Sequence, residues 1–574
     1  MKRMLKIPAR MPWPLSMLPL LGKRRPRREP YRTLSGFPFA APWKFSPATG
    51  LFPLSRGTDQ RFPGRARDRE NRGRKKETSV FYGFRADRRG PGMEKLSAWE
   101  DLLEKVASGL MVRTHSKQVR PGEVFVAMPG RNTDGSQYIP EALNRGAAFV
   151  VAQSDVHWPV TAKAKLIPHP NPRAALGELA AAYFQTARHA MTLIGVTGTN
   201  GKTTVSYMLE HMLSAAGRKV GVLGTVNYRW PGFFLESPPL TTPDCWQIHD
   251  LLSNMAASGV DTVVMEVSSH ALDQDRVAGL DFNMAVITNV TQDHLDYHDN
   301  MDAYFKAKSR LFHYVPFEDK VGVINWDDPY CRIILSKYAP AVGFGLTYTN
   351  LGEGPGLVGS VLSCTGKGLR LSMSYGDQRW ELNSPLVGRH NASNLLAAQA
   401  AGLALGLKPK KLLALKKFKG VPGRLERVEN GPGLDVFVDY AHTPDALENV
   451  LSALKELDFK RTLVVFGCGG NRDRTKRPLM GEAVCRYADV VVLTSDNPRD
   501  EKPEAIMADV RPGLSGCPQV IEEPDRRVAI KLAVDAMRKG DVLLIAGKGH
   551  ESCQEICGQK YLFSDIAVAR EILG

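Results

Sequence analysis

The run Gly195-Val196-Thr197-Gly198-Thr199-Asn200-Gly201-Lys202-Thr203-Thr204 holds the residue types that bind a polyphosphate. It follows an apolar stretch, Leu193 to Val196, that reads as a strand. After it, Val205, Leu209, Met212, Leu213 and Ala216 fall on one helical face, with Gly217 placed as a C-cap. A strand, a glycine-rich turn and a helix N-terminus aim backbone N–H groups and a positive dipole end at one point, which suits phosphate. Lys202 adds a charge for the terminal phosphates and Thr203 a hydroxyl suited to Mg²⁺. The spacing departs from G-x-x-x-x-G-K-[ST], because Val196 stands five before Gly201. A tight turn without ligand is the bland alternative; the residue types favour a nucleoside triphosphate.

Further chemistry-bearing clusters follow strand-like runs. Glu266-Val267-Ser268-Ser269-His270 and Asn289-Val290-Thr291-Gln292-Asp293-His294-Leu295-Asp296 bring a carboxylate and an imidazole that would complete a Mg²⁺ site with Thr203. Taken alone, Glu266 reads as a partly buried salt-bridge partner and His294 as a helix cap. Tyr304 to Phe312, with Lys306, Lys308 and Arg310, reads as a basic helix with a solvated face. Later come Asp439-Tyr440-Ala441-His442, Gly467 to Asp473, Ser495 to Arg499 and Gly547-Lys548-Gly549-His550-Glu551. Arg472 and Arg499 offer bidentate grips on carboxylates, while Asp496 and Glu551 could hold an ammonium group. Two arginines and two acids together suit a zwitterion such as an amino acid.

The elements that must position these residues alternate between strand and helix. Strands are expected at Ala147–Ala152 and, entered through the turn at 119–123, near 124–127, with a helix over Tyr138–Gly146. Others are expected at Val220–Leu223, Thr262–Val267, Ala285–Thr288, Val321–Ile324, Val436–Val438, Thr462–Phe466, Val490–Thr494 and Val542–Ala546. This is the pattern of α/β units with parallel sheets and helices on both faces. Ligands of such sheets sit beyond the carboxyl ends of the strands, where the polar clusters lie.

Length and charge set the frame. At about 150 residues per domain, 574 residues suggest three or four domains. The first 92 residues hold 23 Lys+Arg against 6 Asp+Glu and are crowded with Pro and Gly; the remaining 482 hold 53 against 54. All of the net basicity sits in that leader, which argues against nucleic-acid binding by the body. The leader reads as a disordered basic arm, a Ser-poor transit peptide, or sequence upstream of a true start at Met93, the last being preferred. The apolar run Met11–Gly22 is too short and too rich in Pro to span a bilayer. The eight cysteines show no disulfide or zinc spacing, with only Cys553 and Cys557 four apart, so a reducing cytoplasm is expected.

From Met93 to the C-terminus the chain resembles the Mur ligases. The markers are Gly198–Thr203, Glu266–His270, Gly388-Arg389-His390-Asn391, Pro422-Gly423-Arg424, Asp439–His442 and Gly547–Glu551. The resemblance implies a three-domain architecture: a UDP-sugar-binding domain at 93–190, a central P-loop parallel-sheet ATPase domain at 191–422, and a Rossmann-like amino-acid-binding domain at 423–574. It implies ATP-dependent amide formation in cytoplasmic peptidoglycan precursor synthesis. Asp496-Asn497-Pro498-Arg499 matches the motif of members that add meso-diaminopimelate to the D-Glu side chain of UDP-N-acetylmuramoyl-L-Ala-D-Glu, through an acyl phosphate.

Carried over, Gly198, Thr199, Asn200, Gly201, Lys202, Thr203 and Thr204 would hold the phosphates, with Asn289, His390, Asn391, Arg424 and Asp439 at the nucleotide. Thr203, Glu266, His294 and a CO₂-derived carbamate on Lys308 would place Mg²⁺, and Lys202, Glu266, His294 and Lys308 would be the catalytic set. Ser116, Thr241, Thr242, Ser268, Gln274 and Arg276 would bind the UDP-sugar peptide, although Thr114-His115-Ser116-Lys117 departs from the usual Asp-Ser-Arg. Arg472, Asp496, Asn497, Pro498, Arg499, Gly547 and Glu551 would bind diaminopimelate. The expected partners are small molecules only, with no nucleic acid or membrane, and the expected state is a monomer. A folylpolyglutamate synthase, a lysine-adding ligase, a non-catalytic plastid-type scaffold and a plain P-loop ATPase are the competing readings.

Overall fold

The structure, a computed structural model, describes residues 97–574 except 131–132, 160–161, 237, 296, 316–320, 339, 348–355 and 432. The leader, the start at Met93 and Asp296 lie outside the described residues. Three main sheets follow one another along the chain.

The first has four parallel strands, Val112–Arg113, Val124–Val126, Phe149–Ala152 and Lys165–Pro168. Helix Ala98–Ala107 starts at a reciprocal Ser97–Glu100 capping box and buries Leu102 and Val106. The stretch expected as one helix over Tyr138–Gly146 is a 3₁₀ turn, Gly135–Tyr138, running into helix Ile139–Asn144 with Pro140 in its first turn. Helix Pro172–Tyr183 carries Gly177 against Ala278 so closely that an added Cβ would lie 2.5 Å from the alanine methyl. Nearby, buried His249 accepts from Thr186 Oγ1 at Nδ1 (2.7 Å) and donates from Nε2 to Ala278 O (3.0 Å). That assignment is the neutral ring's, and burial lowers its pKa to about 4.

The central sheet has eleven strands. Its parallel run, in spatial order, is Ala341–Gly345, Val321–Asn325, Met284–Ile287, Thr192–Thr197, Thr262–Glu266 and Val220–Leu223. One face packs under helices Lys202–Ala215 and Arg389–Ala404, the other under Cys245–Ala257. The expected parallel sheet is present and is extended at both edges by antiparallel strands. Strands Asn227–Trp230 and Phe233–Glu236 form an antiparallel hairpin at one. At the other, Gly356–Thr365, Gly368–Tyr375 and Gln378–Ser384 form a meander whose alternating Leu369, Leu371 and Met373 face the core.

The third sheet runs Glu426–Arg427, Asp435–Asp439, Val542–Ala546, Thr462–Phe466, Val490–Leu493, Val520–Glu522, all parallel after the first. Cys485 and Cys517 are joined as a disulfide, against the expectation of unpaired cysteines. Helix Lys476–Cys485 packs on the 3₁₀ turn Arg511–Leu514 and brings together two residues 32 apart in sequence. Among the described residues no helix is long and apolar enough to cross a membrane.

Candidate active site

The strand Thr192–Thr197 is central and buried, and its carboxyl end opens directly into the turn 198–201 and helix Lys202–Ala215. Gly201 takes φ +87°, and an added Cβ there would collide with Asn394 Oδ1, so only glycine suits the position. The turn is fastened to the neighbouring strand end. Thr199 N donates to Asn289 O (2.9 Å), Asn200 N to Asn289 Oδ1 (2.9 Å), and Thr199 Oγ1 to Thr291 O (3.1 Å). Lys202 Nζ donates to Gly198 O and Thr199 O (2.9 and 3.0 Å), folding its charge back over the loop. Burial lowers the pKa of Lys202, the Glu266 and Asp293 carboxylates oppose this, and Arg424 adds to the lowering. Arg424 begins the third region, so its charge reaches the phosphate loop.

Glu266 ends the adjacent strand and is 0% exposed. It is no salt-bridge partner among the described residues. Oε2 accepts from Thr203 Oγ1 (2.9 Å) and Thr225 Oγ1 (2.8 Å), and Oε1 from Thr225 N (3.2 Å). A buried carboxylate among hydroxyls at a phosphate loop is a hard-oxygen donor set that fits Mg²⁺. No group of three or more His, Cys, Asp or Glu gathers as a metal cluster among the described residues.

Lys308 overturns the solvated-face reading: it is 1% exposed, and its Nζ donates to Gly198 O (2.8 Å) and lies 4.4 Å from the Tyr304 ring centre. Burial first, then the Lys202 charge, hold its pKa well below the usual lysine range. Neither Lys202 nor Lys308 forms an ion pair with a carboxylate among the described residues. His294 is likewise no helix cap. It sits exposed at φ +53°, 3.4 Å from Asp293 and edge-on to His270, while Asn300 caps helix Met301–Ser309.

Beside Glu266 lies a polar cluster. Thr241 Oγ1 meets Thr225 Oγ1 (3.1 Å), and Thr242 Oγ1 donates to Glu266 O (2.9 Å) and accepts from Ser268 N (3.1 Å). Arg276 donates to Thr242 O and, twice, to Gln274 Oε1. Ser116 stands apart in the first region, donating to Glu141 (2.6 Å).

In the third region the strand ends converge. Asp496 Oδ1 accepts from Asn497 N (2.7 Å), whereas its Oδ2 is buried with no partner. Asn497 Nδ2 donates to Glu551 Oε2 (2.9 Å), which joins the loop after Val490–Leu493 to the loop after Val542–Ala546. Arg499 donates to Glu555 (3.1 Å) and to Gly470 O (2.7 Å), and exposed Arg472 lies with its stem beside Gly469. Backbone O of Pro498 abuts Gly470. Arg526, fully buried, donates to both oxygens of Asp565 (2.8 and 2.7 Å) and clasps Ser495 O and Ala546 O (3.3 and 2.8 Å). Asp439 spends its oxygens on Leu425 N and Ala441 N, and burial raises its pKa against the pull of Arg424. Asn391 bonds to Val387 O (2.8 Å) and His390 is exposed on the first turn of its helix.

Three Mur ligase family models match the chain: the family catalytic domain at residues 110–184, the middle domain at 196–402, and the glutamate ligase domain at 423–549. The UDP-N-acetylmuramoyl-L-alanyl-D-glutamate–2,6-diaminopimelate ligase of Lawsonia intracellularis is 51% identical over 480 residues, spanning 83% of this chain and 98% of its own. The chain belongs to the Mur ligase family. The Synechococcus elongatus ligase of the same name is 44% identical over 487 residues, 82% of this chain and 94% of its own. A solved structure carrying that name superposes with a TM-score of 0.60 at 34% identity, covering 80% and 94% of the two chains. Thermotoga maritima MurF in complex with ADP shares the fold, at a TM-score of 0.50 and 21% identity over 78% and 95%. Mur ligases are ATP-dependent amide-forming ligases, and this one has their α/β architecture.

Several residues of this Mur ligase's site escape a reading of the sequence: Thr225 on Glu266, Asn394 behind Gly201, Tyr304 on Thr199 (3.1 Å), Arg526 and Lys548. Asn394 lies one turn beyond Asn391 on the same helix, a spacing that could have found it. Arg526 and Lys548 are cations that only the folded chain shows to be buried.

Proposed function

We propose that this Mur ligase joins meso-diaminopimelate to the side-chain carboxylate of D-Glu in UDP-N-acetylmuramoyl-L-Ala-D-Glu, using ATP, in cytoplasmic peptidoglycan precursor synthesis. Residues 93–190 take the UDP end, 191–422 the ATP, and 423–574 the amino acid, in a monomer. The observation that carries this reading is the convergence of Asp496, Asn497, Arg499 and Glu551 on adjoining strand ends, opposite charges side by side as a zwitterion needs.

A carboxylate resists attack by an amine because it is anionic and has no leaving group. Phosphorylation by ATP gives an acyl phosphate. The amine then adds to the acyl carbon, loses its proton, and phosphate departs with the C–O electron pair. Lys202, bonded among the described residues to loop carbonyls, can turn those N–H groups to the phosphates as charge moves onto their oxygens. Asn289 and Thr291 keep the loop in shape while that happens. Thr241, Thr242, Ser268, Gln274 and Arg276 would orient the nucleotide-sugar peptide beside Glu266, with Ser116 at its uridine end.

Thr203, Glu266, His294 and a carbamate on Lys308 would hold Mg²⁺. Bound there, the ion would neutralise charge on the transferring phosphoryl group. The carbamate reading is supported by the depressed pKa of Lys308. The ammonium first gives up one proton; the neutral amine then adds its lone pair to CO₂ and releases a second, turning a buried cation into an anion. ¹³C-bicarbonate should give a carbamate resonance in the protein that is lost in Lys308→Met; no resonance in the parent overturns it.

The test of the reaction is ATP-dependent phosphate release by the full chain with the UDP-dipeptide and meso-diaminopimelate, L-lysine or no amino acid. Release with a tripeptide product only for diaminopimelate is expected. Turnover with lysine instead overturns the specificity, and turnover with neither overturns the ligase reading in favour of a scaffold.

A further inference from the structure

Lys548 lies between two residues assigned to the amino acid, yet has no role so far. Its side chain is 0% exposed. Nζ donates to Asn497 Oδ1 (3.0 Å) and Glu551 Oε2 (2.8 Å), and Asn497 Nδ2 donates to that same carboxylate oxygen (2.9 Å). Asn497 Oδ1 also accepts from Glu555 N (3.0 Å). The result is a closed triangle of lysine, amide and carboxylate. Gly547, at φ +116°, allows the chain to turn here: an added Cβ would lie 2.7 Å from Asp496 Oδ2. The turn sends Lys548 inward and leaves Glu551 about a third exposed.

An ammonium group is expensive to bury and persists inside a protein only when it is paired and bonded. A staple between two loops could be built from neutral groups. Here the buried charge is applied to one oxygen of Glu551, and among the described residues none donates to the other. Oε2 accepts from two donors at once, which restrains the carboxylate, while the side chain as a whole keeps 30% of its surface exposed. Burial raises the pKa of Glu551, but the charge and bond of Lys548, with the bond of Asn497, leave it below the usual value.

We propose that Lys548 is a positioning residue for the amino-acid substrate: it locks Asn497 and the Glu551 carboxylate in the orientation that receives the substrate's ammonium group. This rests on the reading that Glu551 lines the amino-acid pocket.

The test is a double-mutant cycle of Lys548→Met and Glu551→Gln in the full chain, reading KM for the amino acid and for ATP, with thermal unfolding as the folding control. Each single change is expected to raise the amino-acid KM about tenfold or more, the value of one charge-assisted bond, with the KM for ATP unchanged. The double variant is expected to be no worse than Glu551→Gln, because Lys548 acts through that carboxylate. Multiplying losses, or an equal rise in the KM for ATP, would make Lys548 a structural staple and overturn the proposal. A normal loss in Glu551→Gln with none in Lys548→Met overturns this proposal alone. No loss in Glu551→Gln overturns the pocket reading with it. Lys548→Gln, which keeps a donor without the charge, carries the same cycle should the Met variant not fold.

Discussion

The phosphate loop and the third-region cluster treat buried cations in opposite ways. At the loop, Lys202 and Lys308 bond to the backbone carbonyls of residues 198 and 199 and, among the described residues, to no carboxylate. In the third region the cations already have counter-ions: Arg499 with Glu555, Lys548 with Glu551, Arg526 with Asp565, Arg477 with Glu501 and Asp509. The first arrangement leaves Lys202 to meet a polyanion and Lys308 as the amine that CO₂ would convert. The second is charge-balanced and suits a ligand that carries both signs.

The comparison breaks most readily at Lys202. Lys202→Met should lower phosphate release by about 10³-fold through lost transition-state stabilisation. A loss under tenfold would mean that the loop's charge is not used. Next in size is Arg526→Met, which leaves Asp565 buried without its partner. It should destabilise by about 3–5 kcal/mol in urea unfolding, with recovery when Asp565→Leu is added. A mild effect would remove the third region from the balanced class.

The reverse sign is expected at Lys308. Lys308→Met should lose ligation yet gain about 1 kcal/mol of stability under CO₂-free conditions, because no ion pair is broken and a buried amine is removed. Destabilisation would show that the bond to Gly198 O is structural after all. The smallest effect sharpens the third region alone. The Arg477 bond, then Asn471 N–H, hold Glu501 down to about 2. A depressed carboxylate contributes stability that is complete above about 4.5 and lost as pH falls toward 2. Glu501→Gln should therefore flatten that part of the acid-unfolding curve; an unchanged slope would place the acid sensitivity elsewhere.

How far the sequence reaches differs between the same two regions. The phosphate loop was legible because its chemistry is local: a strand, a turn and a helix start within ten residues. So were the buried parallel strands, with Val220–Leu223, Thr462–Phe466 and Val542–Ala546 found at the expected bounds. Lys308 was misread from its charge, although Tyr304, Ala307, Lys308 and Leu311 share the i, i+3, i+4, i+7 stripe that packs inward. The edge meander was passed over despite the alternation of Leu369, Leu371 and Met373. The pairing of Cys485 with Cys517, and of Lys548 with Asn497 across 51 residues, had no local signal, because each depends on which strand lies beside which.

The contact at Gly177 limits how this molecule can move. Where a helix of the first sheet meets Ala278 with no room for one methyl, and where His249 is bonded to both sides, sliding would require breaking packed backbone as well as side-chain contacts. That joint is stiff. The first and central sheets are therefore expected to move together, and a hinge for the third sheet is expected at the connection through Val421–Arg424.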